Sequence, residues 1–296
     1  MKIAVTGASG LIGSSLVPHL RRQGHEVVSL VRREPRAPSE ARWDPARGHV
    51  DLSRLQGTDG VVHLAGAGVG DRRWTDSYKQ QIRSSRVDGT RTIAEAVARL
   101  DPRPQVLVSG SAIGWYGERG DELLDERSAV GSSFLAGVTQ EWERAADPAR
   151  DAGVRVVHPR TGLVMARSGG AFGQLLPLLR VGLGGPLGSG RQWWSWITLR
   201  DEVRALTWLL DHPVSGPVNL TAPAPARQRD VVGALARVLH RPALLPVPAF
   251  ALRLVLGEFA GEVLVSQRVL PVALEGAGFA FDHPDLDSAA RWTTSG

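Results

Sequence analysis

Three glycines at positions 7, 10 and 13 are the first residues whose spacing could do chemistry. They sit in Thr6-Gly7-Ala8-Ser9-Gly10-Leu11-Ile12-Gly13, directly after the short apolar run Lys2-Ile3-Ala4-Val5. Residues 14–23 follow with Leu16, Val17 and Leu20 at helical spacing, and Gly24 closes the segment. A strand, a glycine turn and a helix in that order suit a dinucleotide. The turn lets the backbone approach a pyrophosphate, which then sits on the positive end of the helix. The spacing is G-x-x-G-x-x-G, not the strict G-x-G-x-x-G, but the physical demands are the same. Gly7, Ser9, Gly10, Leu11, Ile12 and Gly13 are therefore expected to line the cofactor.

A second chemical signal lies at the tip of the next strand, Glu-Val-Val-Ser-Leu-Val at 26–31, which ends in Arg32-Arg33. In a dinucleotide fold this tip meets the adenosine ribose. An acid there binds the 2′-hydroxyl of NAD, and an arginine suits the 2′-phosphate of NADP. Arg32 stands nineteen residues after Gly13, close to the expected offset. Arg32 and Arg33 together favour NADP. The run Gly-Val-Val-His-Leu at 60–64 opens into Ala65-Gly66-Ala67-Gly68, small residues that admit a ligand at a strand's carboxyl end. His63, alone in an apolar run, is read as a core residue. Ser111 closes the strand that begins at Gln105, and Tyr116 follows on a loop. The glycine-rich stretch 182–190 has P-loop spacing but continues into Arg191-Gln192, so a nucleotide triphosphate site is rejected. Trp193, Trp194 and Trp196 read as pocket wall or core.

The elements that must position these residues alternate. Helical patterns over 74–100 and 132–152 separate strands at 60–64, 105–108 and 154–158. Such alternation predicts an α/β fold with a doubly wound parallel sheet, and a small, mainly helical C-terminal lobe. The expected division is a dinucleotide-binding domain over 1–222, with 165–195 contributing to the substrate side, and a lobe over 223–296. Composition agrees with an ordinary globular chain: 296 residues, 43% hydrophobic, 22% charged and no cysteine. That removes disulfides, thiolate catalysis and cysteine-bound zinc, and no metal site is assigned. The net charge of +5 comes from arginines interleaved with acids, so neither nucleic acid nor membrane is expected as a partner. With no signal-like segment the chain reads as cytoplasmic.

On these residues the chain resembles the short-chain dehydrogenase/reductase superfamily, in its extended, epimerase-like branch. The resemblance rests on 6–13, His63-Leu64-Ala65-Gly66, the strand ending at Ser111, and Trp196-Ile197 leading to Asp201-Glu202-Val203. It is finer for one atypical NADP-binding subgroup of epimerase family proteins. Arg73-Trp74, Ser85-Arg86, Trp142-Glu143, the stretch 184–190 and Gly278-Phe279 carry that likeness over nearly the full length. The resemblance implies cofactor contacts from the glycine turn, Arg32, Leu64, Ala65, Gln81, Arg86 and Val164. The backbone reading adds Gly66, and charge adds Arg33. It also implies a serine, here Ser111, that polarises the substrate oxygen. Long helices in the superfamily often pair into a dimer, which makes 74–100 and 132–152 candidates for a homodimer interface.

Catalysis departs from the pattern. The superfamily uses Tyr-x-x-x-Lys, in which lysine lowers the tyrosine's pKa and the tyrosine exchanges a proton with substrate. Only Tyr78 and Tyr116 are present, followed four residues later by Ile82 and Gly120. The aligned helix positions are Phe134 and Val138, which do not titrate. Two readings stay open. One is an NADP-dependent oxidoreductase or epimerase acting on an unnamed small molecule, with Tyr116 or Glu141 as acid/base beside Ser111. The other is a non-catalytic NADP(H)-binding sensor or scaffold. A serine hydrolase is set aside, because Ser111 lacks the G-x-S-x-G turn.

Overall fold

The computed structural model describes residues 1–295. In chain order the first half holds β1 (Lys2–Thr6), α1 (Gly13–Arg22), β2 (Glu26–Val31), β3 (Glu40–Asp44), β4 (His49–Val50), β5 (Gly60–His63), α2 (Asp76–Arg99), β6 (Val106–Ser109), β7 (Ser111–Ala112), β8 (Leu123–Leu124), α3 (Phe134–Arg144) and α4 (Asp147–Asp151). The second half holds β9 (Arg155–Thr161), β10 (Leu163–Met165), α5 (Gly170–Arg180), β11 (Trp193–Trp194), β12 (Trp196–Thr198), α6 (Leu199–Asp211), β13 (Gly216–Leu220), β14 (Ala226–Arg227), α7 (Gln228–Val238), α8 (Ala249–Leu256), α9 (Phe259–Leu264), β15 (Arg268–Val269), α10 (Val272–Gly276) and α11 (Leu286–Thr294).

The main sheet runs β13-β9-β6-β5-β1-β2-β3-β4, with β7 also on β9. Every pair is parallel except β3 with β4. Strand order reverses between β1 and β5, and ligands bind outside the carboxyl ends of strands at such a point. The central strands β1, β5, β6 and β9 are buried on both faces, which is why they read as continuous apolar runs. Ile3 and Val5 face α1 and α6, packing on Leu16, Leu20, Val203 and Leu206. Ala4, Val61 and Leu107 face the opposite way, against Ile93 and Val97 of α2. A third apolar cluster joins α5, α7 and α11 through Phe172, Leu176, Leu235 and Ala289. Residues 165–196 therefore share a core with the chain's last third. Among the described residues no helix is long and apolar enough to cross a membrane.

One expectation needed revision, and one strand lies where no element was named. The single helix expected over 132–152 is two helices, α3 and α4, with Pro148 near the start of the second. Proline lacks the amide that a continuous helix would require there and is tolerated in a first turn. The polar segment 35–53 contains a strand of the main sheet, β3, whose Ala41 and Trp43 point into the core while flanking prolines conceal the alternation.

Candidate functional site

The chain turns sharply out of β1 at Gly7, whose φ is +69°. A Cβ there would lie 2.8 Å from the Leu64 carbonyl carbon, and one on Gly13 would overlap the Gly7 carbonyl oxygen. The turn closes with the Gly10 amide donating to Gly7 O at 2.9 Å. α1 starts without a side-chain cap and without an acid in its first turn. The Ser14 and Ser15 amides are taken by Gly10 O and Ile12 O, so what the helix start offers an anion is chiefly its positive dipole end, which begins directly at the glycine turn. Ser9 and Gly10 are exposed at the tip, and Leu11 and Ile12 are half-buried.

At the end of β2 the two arginines separate. Arg33 is held by Glu40 through both nitrogens, at 2.8 and 2.5 Å. Arg32 is exposed and makes no hydrogen bond or ion pair among the described residues. Beside the glycine turn, the Leu64 and Ala65 amides donate to Thr6 Oγ1 at 3.1 and 3.2 Å, which fixes the start of the 64–68 loop. Gly66 is exposed on that loop. Behind it Arg86 donates to the carbonyls of Ala67 (2.9 Å) and Ile82 (3.1 Å), with its guanidinium 5.1 Å from the Trp142 ring centroid. Among the described residues no carboxylate pairs with Arg86, and burial pulls its pKa down to about 10. A half-buried cation with no counter-ion there, packed behind Gly66 on the loop that borders the glycine turn, suits a phosphate group. Gln81 is exposed on α2, and Val164 is half-buried on β10. The structure thus brings Gly7, Leu64 to Gly66 and Arg86 together, while Arg32 follows the end of β2 and Val164 lies in the middle of β10.

Ser111 and its surroundings differ from expectation. Ser111 Oγ donates to Glu143 Oε1 at 2.6 Å. Arg160 grips the same carboxylate, Nε to Oε1 at 2.8 Å and Nη2 to Oε2 at 3.0 Å, and lies 3.9 Å from the Trp115 ring centroid. Neighbouring strands impose this, because Ser111 and Arg160 are register partners on β7 and β9, so their side chains leave the same face toward α3.

Tyr116, read from the sequence as following on a loop, is held at both ends. It is fully buried on a short 3-10 turn, donates to Asn219 Oδ1 at 2.7 Å and accepts from Arg160 Nη1 at 3.2 Å. Burial pushes its phenol up to about 12. A phenol anchored at both ends and this reluctant to ionise is suited to holding the network, not to trading protons at neutral pH. Glu141, the other acid/base named, sits partly exposed at the surface, paired with Arg83 at 2.6 Å.

Phe134, where the superfamily's tyrosine would stand, meets the Trp74 ring at 5.2 Å, and Trp74 meets Phe259 of α9 at 5.7 Å. Lys79 pairs with Glu258 beside this stack. One further group escaped the sequence reading. Glu202, fully buried on α6, accepts from Thr161 Oγ1 at 2.8 Å through Oε1, while Oε2 has no partner among the described residues. Burial raises its pKa to about 8. The roles of Glu143 and Arg160 were also missed. A charged residue inside the apolar run Val-Arg-Val-Val-His-Pro-Arg at 154–160 is the signal that a buried partner must exist.

Comparison with known proteins places these features in context. Residues 3–221 match the NAD dependent epimerase/dehydratase family, and residues 247–293 match a domain of unknown function. The chain is 44% identical over 295 residues to an epimerase family protein of Mycobacterium bovis, covering 99% of this chain and 97% of that one. It is 39% identical over 300 residues to an Arabidopsis thaliana chloroplastic homologue of epimerase family protein SDR39U1, covering 98% and 86%. The crystal structure of human epimerase family protein SDR39U1 with NADPH superposes with a TM-score of 0.91 at 31% identity, covering 99% of both chains.

Proposed function

Because the chain belongs to the NAD dependent epimerase/dehydratase family, we propose that it binds NADP(H) and acts as an oxidoreductase or epimerase-like enzyme whose acid/base groups are not tyrosine and lysine. The observation that carries the cofactor choice is Arg32, an exposed guanidinium at the tip of β2 with no partner among the described residues, next to an Arg33 already committed to Glu40. A free guanidinium fork there matches a 2′-phosphate. The human relative with bound NADPH supports the same reading.

When bound, the nicotinamide would supply hydride chemistry. The chain's own residues bind and orient. The 7–13 turn and the start of α1 take the pyrophosphate, Arg86 adds positive charge behind the 64–68 loop, and Ser111 holds the substrate oxygen. The second reading, a non-catalytic NADP(H) sensor, is favoured by Phe134, which puts an aromatic stack where a titrating group would be needed.

Calorimetry of NADPH and NADH on the wild type and on Arg32→Ala tests the cofactor assignment. Loss of a charge-assisted contact should cost about 1.5–3 kcal/mol for NADPH and little for NADH. Equal loss for both, or no binding of either, overturns it. Ser111→Ala then separates the readings: an enzyme loses turnover while keeping NADPH, and a sensor has no turnover to lose across a substrate panel.

A further inference from the structure

The proton on Ser111 is not available to a ligand. Its Oγ–H is donated to Glu143 Oε1 at 2.6 Å, and that carboxylate cannot turn away because Arg160 holds both of its oxygens. Arg160 is in turn fixed by Trp115 on its face and by Tyr116 at Nη1. The hydroxyl of Ser111 has one proton and two lone pairs. With the proton spent inward, only lone pairs remain for a ligand that reaches this largely buried residue.

We propose that Glu143 is a positioning residue that makes Ser111 a hydrogen-bond acceptor, so that the site takes a ligand hydroxyl in preference to a carbonyl. This rests on the enzyme reading above and reverses the role that the serine would have in polarising a carbonyl oxygen. The ligand class is an alcohol whose O–H points at Ser111 Oγ. A carbonyl oxygen at that point would meet lone pairs facing lone pairs.

The test uses an isosteric pair, cyclohexanol and cyclohexanone, titrated by ligand-detected NMR into the full chain saturated with NADPH. The wild type should bind the alcohol about three- to tenfold more tightly, the worth of one hydrogen bond. Ser111→Ala should bind the two alike. In the double variant Glu143→Leu/Arg160→Met the inward acceptor is gone and both buried charges leave together, which keeps the core tolerable. Its serine proton is then free, and the preference should pass to the ketone. Equal affinities in the wild type, a wild-type ketone preference, or binding of neither probe to NADPH-loaded protein overturns the inference while leaving the cofactor assignment standing. Failure to bind NADPH at all counts against the cofactor assignment and, with it, this inference. Neutron diffraction gives a reading independent of ligands: a deuteron between Ser111 Oγ and Glu143 Oε1 supports the inference, and one directed away from Glu143 overturns it.

Discussion

Glu143 and Arg160 form a two-pronged ion pair, 2.8 and 3.0 Å, whose side chains are 11% and 2% exposed. Such a pair is worth little against an apolar replacement, but breaking it is expensive, because one charge stays buried alone. Arg160→Met should therefore lose about 3–5 kcal/mol. Glu143→Leu/Arg160→Met should recover most of that loss. Urea denaturation of the two variants beside the wild type checks the pair. Equal destabilisation of the single and double variants would mean that packing on Trp115, not charge, dominates.

Thr6 is the hinge pin of the 64–68 loop. Its Oγ1 accepts two amides and lies 2.7 Å from His63 Nδ1, so its own proton goes to that nitrogen and His63 carries hydrogen on Nε2. Thr6→Val keeps the shape but leaves those partners unsatisfied. The expected cost is about 1–3 kcal/mol, with weaker NADPH binding. Nitrogen NMR of His63 should report the Nε2–H tautomer in the wild type.

Stability should depend on pH in two opposing ways. Burial lowers His63 and His158 from 6.5 to about 4. The unfolded chain binds more protons over that interval, so stability is lost as pH falls from 6.5 toward 4. Burial raises Glu202 from 4.5 to about 8. Here the folded chain binds more protons, so stability is lost as pH rises from 4.5 through 8. A maximum near pH 6.5 is expected, from the histidine limb ending there while the Glu202 limb continues downward. Glu202→Gln should flatten the alkaline limb, recovering on the order of a few kcal/mol at pH 8. Unfolding midpoints measured from pH 4 to 9 decide this. An unchanged alkaline limb in the variant would assign it elsewhere.

Glycines in this chain are not equivalent. Gly24, at φ +85°, has open space around its Cβ position, so Gly24→Ala should cost only about 1–2 kcal/mol of backbone strain. Gly13→Ala would drive a methyl into the Gly7 carbonyl. It should cost more, and it should abolish NADPH binding even where the fold survives. Thermal denaturation and calorimetry on the two variants make the comparison.

Much of the scaffold could be read from residue pattern alone. β2, β5 and α2 announced themselves because buried parallel strands are unbroken apolar runs and long helices repeat at 3.6 residues. α5 did not, because Gly173 and Pro177 interrupt its pattern while Phe172, Leu176 and Leu179 make its buried face. The glycine turn between β1 and α1 was legible because its demands are local: a strand, a tight turn and a helix start in sequence. The Ser111 network was not, since residues 111, 143, 160 and 219 meet only when three strands and a helix are assembled. The burial of Tyr116 was hidden for the same reason. A loop position in sequence says nothing about Asn219, which stands 103 residues away.

The aromatic stack has one more consequence. Trp74 donates to Val69 O at 2.8 Å, and Tyr78 donates to Gly68 O, so the ring that meets Phe259 is bolted to the loop that begins at Leu64. The C-terminal helices thereby hold the same strap of chain whose start, Leu64 and Ala65, lies against Gly7. Whatever shifts the packing of Phe259 on Trp74 is therefore felt, through one continuous piece of backbone, at the glycine turn.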